Sequence, residues 1–211
     1  DEVLADAVSK HLRLKAAWQE RELRKKASET IMIVNEPYMA SFGSAFVSLS
    51  QAQVVELLAE VLADLQGLKG VHCCGNTDWS LILRAPVDII SFDAYDYAEN
   101  LIQYAEEIGE FLDKGGMMAW GIVPAGVTSE SETVEALGRH LHQVMERLVE
   151  NGVSEEAILQ RGFVTPSCGL GSLSPGLVDH ILDLTAAVSQ EMRARYVDVE
   201  PVEDDEQENE E

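Results

Sequence analysis

The sequence predicts an α/β fold built on a parallel sheet, on three observations. Five short apolar runs alternate with stretches of helical periodicity. Glycines and capping residues punctuate those stretches. The chemically distinctive side chains, Asn35, Glu36, His72, Cys74, Asp93 and Cys168, all fall where an apolar run ends. In parallel sheets that end carries the functional site.

Each element has its own justification. Residues 3 to 27 read as one or two helices, with Leu4, Val8 and Leu12 on one face and many charges opposite. Ile31 to Val34 is the first strand, ending at Asn35-Glu36-Pro37, and a loop rich in small residues follows from Ser41 to Ser48. Ser50 and Gln53 have capping-box spacing. The helix they open carries Val54, Leu57, Leu58, Val61, Leu62 and Leu65 inward and stops at Gly67 and Gly70. A short second strand ends in His72-Cys73-Cys74, and a short helix spans Trp79 to Leu83 before Pro86. Asp88 to Phe92 is the third strand. Its helix runs from Tyr97 to Leu112, with Leu101, Tyr104, Ile108 and Phe111 inward and Gly115-Gly116 as the stop. Met117 to Val123 is the fourth strand. Ser129 with Glu132 is expected to cap the next helix, which buries Val134, Leu137, Leu141, Val144 and Leu148 and ends at Gly152. The fifth strand is Gly162 to Thr165. Ser174-Pro175 opens a last helix to Tyr196, with proline in the first turn, where a missing N–H costs nothing.

Composition narrows the function. The 211 residues suffice for one domain, and the formal net charge is -23. Residues 198 to 211 hold nine acids and no base, a run that repels itself and buries nothing, so 197–211 reads as an acidic disordered tail. The body, 1–196, stays acidic without it. That opposes a nucleic-acid partner, whose phosphates need clustered Lys and Arg. No apolar run is long enough to span a bilayer, and Asp1-Glu2 does not open a signal peptide. Three cysteines, two of them adjacent, make no disulfide framework. A reducing, cytoplasmic setting is expected. Gly169-Leu170-Gly171 lacks the lysine of a phosphate loop.

Metal chemistry is what the strand-end residues share. Residues two apart on a strand share a face, so His72 and Cys74 point together and Cys73 points away into packing. Imidazole and thiolate are zinc's preferred ligands. Cys168 would arrive from the fifth strand, with Asp93 as a loose fourth ligand or the position left open to a substrate thiol. Taken alone, a His-x-Cys pair fits core filling as readily as metal binding, and Cys168 fits a structural thiol or a modest nucleophile. Their coincidence at the strand ends of one sheet favours the metal. Trp79 and Trp120 read as packing, and His140, His142 and His180 as surface or satisfied residues.

Residues 31 to 193 resemble the carboxy-terminal catalytic barrel of cobalamin-independent methionine synthase. They also resemble its wider superfamily, which includes uroporphyrinogen decarboxylase and zinc-dependent methylcobamide:coenzyme M methyltransferases. His72-Cys73-Cys74 is similar to the family's His-x-Cys zinc pair. Pro166-Ser167-Cys168-Gly169-Leu170 is similar to its Pro-x-Cys-Gly-Leu segment. Ser91-Phe92-Asp93 falls where the family has a glutamate ligand, and Asn35-Glu36-Pro37 on its substrate-holding Asp-Glu-Pro strand end. The resemblance implies a TIM (β/α)8 barrel of which this chain supplies the last five βα units. The rest would be a missing N-terminal segment or another chain. It also implies Zn2+ on His72, Cys74, Cys168 and Asp93, with Asn35 and Glu36 binding substrate. The expected reaction is methylation of a small thiol, homocysteine, to methionine. The methyl donor would be a folate or, alternatively, a corrinoid protein; a non-catalytic barrel piece that keeps a zinc site is a further alternative.

The sequence departs from the family in three places. Asp93 is one methylene shorter than glutamate. Asn35 offers a neutral amide where an aspartate would meet the substrate ammonium. Residues 121 to 126 lack the histidine expected for proton handling. These departures bear on the donor and the acceptor more than on thiol activation. Glu36 fits either an ammonium partner or a carboxylate that anchors its loop. No arginine cluster near the strand ends matches a decarboxylase pocket.

Overall fold

The computed structural model describes residues 2–42 and 49–196. The acidic tail and most of the small-residue loop lie outside the described residues. Five strands form one all-parallel sheet: β1 (Ile31–Asn35), β2 (Leu68–Cys73), β3 (Ile89–Phe92), β4 (Met117–Val123) and β5 (Gly162–Pro166). Their spatial order is their chain order. This mixed α/β arrangement is compatible with part of an α/β barrel.

Among the described residues, eight α-helices connect and flank the strands: α1 (Glu2–Leu23), α2 (Gln51–Leu62), α3 (Trp79–Leu83), α4 (Ala98–Ile102), α5 (Ala105–Asp113), α6 (Val134–Glu150), α7 (Glu155–Gln160) and α8 (Pro175–Tyr196). Parallel crossovers are almost always right-handed. With strands in order, that rule puts every crossover helix on one face. Burial agrees: Val71, Cys73, Ile90, Phe92, Met118 and Trp120 all belong to the main core. Trp79, Phe92 and Trp120 stack edge to face there, with centroids 5.8 and 5.4 Å apart. The alternate residues, Gly70, His72, Ile89, Ser91, Ala119 and Gly121, line the other face.

Register sets those neighbours. Asn35 pairs with His72, His72 with Ser91, and Ser91 with Ala119. Gly70 sits where strands crowd, since a Cβ there would lie 2.7 Å from both Ile33 Cδ1 and the Ile89 carbonyl oxygen. Only glycine fits.

Several helix expectations need correction. The stretch from Tyr97 to Leu112 is two helices, because Tyr104 N–H bonds back to Leu101 O in a tighter turn. The break still lets Leu101, Ile108 and Leu112 bury completely. Ser129 and Glu132 do not cap α6. Ser129 Oγ donates to Gly126 O within a 3-10 turn, and Glu132 accepts from Tyr95 Oη at 2.6 Å. Thr133 caps instead, accepting from Ala136 N–H. Helix α7, capped by Ser154, was not expected. His140 and His142 are half-buried, His140 against Tyr95 and His142 against Tyr196, which fits the satisfied rather than the surface alternative. The Ser50–Gln53 capping box forms as expected.

The predicted apolar face of α1 is largely uncovered. Leu4, Val8, Leu12 and Trp18 are exposed, and Ile31 on the open edge of β1 is 51% exposed. Helix α1 is fixed by polar contacts. Arg13 grips Asp64 through two bonds of 2.6 Å and reaches Glu60 at 3.1 Å. Glu20, 2% exposed, accepts from Thr30 Oγ1 and from the amides of Gln66 and Gly67 at 2.9, 2.8 and 2.6 Å. Burial pushes its carboxyl upward, but those three donors outweigh it, and the net direction is down.

A depressed carboxyl stabilises the fold fully above the unfolded value, about pH 4, and the contribution fades as pH falls through the folded value. Glu20→Ala is therefore expected to cost about 2–3 kcal/mol in urea unfolding at neutral pH, because it strands buried donors. The gap between wild type and Glu20→Gln should shrink as the medium is acidified below about pH 4. A pH-independent gap would remove the charge from this account.

Candidate metal centre

Three strand-end side chains meet. The ligand atoms of His72, Cys74 and Cys168 all lie within 4.8 Å of one another, a possible metal-binding triad. In a flat sheet β2 and β5, three strand spacings apart, would be roughly 14 Å from each other. The sheet must therefore curl, and the chain after β5 must turn inward.

The joint between β4 and β5 supports that turn. Their register shifts between Gly121 and Val123, a local irregularity of the kind that re-aims a strand end. Ser167 N–H donates to Val123 O at 2.7 Å, and Ser167 Oγ accepts from Ala125 N–H at 3.1 Å. Gly121 permits the approach: a Cβ there would lie 2.3 Å from Phe92 O and 2.8 Å from Ser167 Cα. Cys168 is the next residue and is delivered to the triad.

His72 is 5% exposed and prepared on one side only. Its Nδ1 lies 2.8 Å from Ser91 Oγ, while Nε2 is buried without a partner. A buried ring nitrogen left unpaired carries a desolvation cost that a cation would remove. When Nδ1 carries the proton and donates to Ser91, Nε2 presents its lone pair, the tautomer a metal takes. Burial lowers the His72 pKa, which keeps the ring neutral.

The Cys74 sulfur faces the opposite pressure. Burial raises the Cys74 pKa, and the Cys168 thiol and the Asp93 charge raise it further. A thiol whose charge is disfavoured by burial, by a second thiol and by a carboxylate is one that a cation would stabilise. Two thiolates on zinc lie about 3.8 Å apart, from Zn–S bonds of about 2.3 Å in a tetrahedron. A triad within 4.8 Å is a small side-chain adjustment from that spacing. By donor type, orphaned nitrogen and size, the residues fit a zinc ion.

The remaining predicted residues stand around the triad. Asp93 is buried near Cys74, but its Oδ1 accepts from Asp96 N–H at 2.9 Å and it lies outside the three-residue cluster. Burial raises its pKa against that amide. Asn35 flanks His72 in register and is exposed. Glu36 N–H donates to His72 O at 2.9 Å, tying the two strand ends. Its carboxylate caps a 3-10 turn at Pro37–Ser41 by accepting from Tyr38 N–H, and burial raises its pKa. Asn35 and Glu36 also line an apolar cavity of about 510 Å³ between α1, α2 and β1. Cys73 is fully buried on the helix side, its Sγ 3.6 Å from Gly75 O. Asp78 caps α3 by accepting from Ser80 N–H.

No family model and no curated protein matches the chain.

Ser91 and Ser167 make contacts that their sequence segments do not reveal. The register signal for Ser91 is its position opposite His72, legible only once the strands are aligned. Loss of this kind of partner typically weakens metal binding about 10–100-fold. Ser91→Ala is expected to weaken zinc affinity within that range while leaving the circular dichroism unchanged. Competition with a chromophoric chelator measures it, and unchanged affinity would deprive Ser91 of its orienting part. Zinc binding should also release protons at neutral pH, since Cys74 must ionise.

Proposed function

We propose that this protein is a zinc-dependent methyltransferase that activates a substrate thiol, with homocysteine as acceptor and methionine as product. The observation that carries the reading is the convergence of His72, Cys74 and Cys168 at the carboxyl end of a parallel sheet, with a buried imidazole nitrogen left unpaired. The sequence resemblance to the catalytic barrel of cobalamin-independent methionine synthase adds the reaction class. When bound, zinc supplies a position where a thiol is held deprotonated yet remains nucleophilic.

In this reading the chain's own groups divide the work. Ser91 orients His72. Cys74 and Cys168 give up their protons on loading and add two negative charges, which keep sulfur electron-rich. Asp93 contributes a nearby carboxylate and, after a side-chain rotation away from Asp96, a fourth ligand. Glu36 meets the acceptor's ammonium group, with Asn35 a weaker, neutral partner beside it. The sheet belongs to a (β/α)8 barrel as its last five units, and the open edge of β1 and the bare face of α1 are where further strands, from a preceding segment or another chain, would join. The setting proposed is the cytoplasm. No helix among the described residues is long and apolar enough to cross a membrane.

The methyl donor is a folate, with a corrinoid protein as the second reading. The absence of histidine from residues 121 to 126 favours the corrinoid, because a folate leaving group needs a proton.

Purified protein is expected to hold about one zinc per chain, as a single triad would. Cys168→Ser should lose most of it and all thiol methylation. Parallel assays with methyltetrahydrofolate and with methylcobalamin identify the donor. Zinc near zero in both wild type and variant would end the proposal.

A further inference from the structure

Cys74 and Cys168 are brought together from segments far apart in the chain. Their sulfurs lie within 4.8 Å of each other. Both residues are half-buried and within reach of a small solute. Cys73 is adjacent to Cys74 in sequence but fully buried on the opposite face, against the Gly75 carbonyl. The fold has thus paired two thiols from distant segments and separated two that are neighbours in the chain.

A disulfide needs the sulfurs to close to about 2.05 Å, with the Cβ atoms roughly 3.8 Å apart. Rotation about the two Cα–Cβ bonds moves sulfur over that range when the strand ends already face each other. Ser167, immediately before Cys168, is held to Val123 and Ala125, so the adjoining backbone is anchored. A bound ion would occupy both sulfurs. A covalent S–S bond would leave neither able to ligate.

We propose that Cys74 and Cys168 form a reversible disulfide on exposure to a hydroperoxide, and that this state and the metal-loaded state exclude each other. The first thiol attacks the peroxide O–O bond, giving a sulfenic acid and releasing the alcohol, or water when the oxidant is hydrogen peroxide. The second thiol attacks that sulfur, the S–S bond forms, and water leaves. In total two thiols lose two protons and two electrons to one peroxide. A dithiol reductant reverses the step by exchange. The inference concerns the site of the proposed function, but the cross-link requires no metal to form.

The test uses the full chain, reduced and then divided into chelator-treated and zinc-loaded samples. Each is titrated with hydrogen peroxide, digested without reductant and read by mass spectrometry. The metal-free sample should lose two hydrogens and yield a peptide pair joining the Cys74 and Cys168 segments, restored by dithiothreitol. Zinc should slow this at least tenfold, and the oxidised protein should take up no zinc until reduced. Cys73→Ser should form the same cross-link, which assigns it to Cys74. Cys168→Ser should stop at a sulfenic acid trapped by a dimedone probe. A Cys73–Cys74 bond, cross-linking between chains alone, or direct passage to sulfinic acid would overturn the inference. A cross-link in a protein that never binds zinc would support the disulfide while refuting both the exclusion and the zinc methyltransferase reading. Zinc binding without a cross-link would refute the disulfide while supporting the zinc reading.

Discussion

Uncrossed strand order is the constraint on which the rest of this molecule depends. Five parallel strands follow one another in space as in sequence, so the crossover helices share one side of the sheet. The core of aromatic and aliphatic side chains fills that side. The opposite side is left for groups that a packed core could not tolerate, an imidazole, thiols and a carboxylate. Curvature then does what order alone cannot. It carries the end of β2 toward the end of β5 and converts residues on separate strands into neighbours.

The electrostatics of that concave side are one-directional. Asp93 and Cys74 both have their pKa raised chiefly by burial. His72 is shifted down by the same cause. Every one of these groups is thereby pushed toward neutrality. A positive ion would reverse the pressure on the acid and the thiol while using the neutral imidazole as it stands. By contrast Glu20, satisfied by three donors, keeps its charge inside the protein and holds α1 in place. Two buried carboxylates in one chain, Glu20 and Asp93, thus move in opposite directions, and the number of donors aimed at each accounts for the difference.

Much of this was legible in the sequence because it rests on periodicity. The five strands, the alternation that separates His72 and Cys74 from Cys73, and the Ser50–Gln53 box are local patterns, and local patterns survive folding. Less legible were features decided by competition between partners. Ser129 and Glu132 have capping spacing, yet Gly126 and Tyr95 claim their side chains first. The expected long helix after β3 breaks at Tyr104, whose N–H turns back to Leu101 O. At the candidate site, the trio His72, Cys74 and Cys168 could be anticipated from strand ends. Ser91's orienting contact could not, since it depends on the register between β2 and β3. The turn of Asp93 toward Asp96 is likewise a matter of local backbone that no spacing reveals.

Gly70 gives the site a safeguard against misassembly. Were β2 to slide along β3 by one residue, every side chain would exchange faces. Cys73 would then occupy the concave side and Cys74 the hydrophobic layer. The slide would also bring Lys69 or Val71 to the spot where even a methyl collides with the Ile89 carbonyl. A misthreaded chain is rejected by steric overlap two residues ahead of the imidazole. Fidelity of the ligand set is thus guarded by a residue with no side chain to contribute to it.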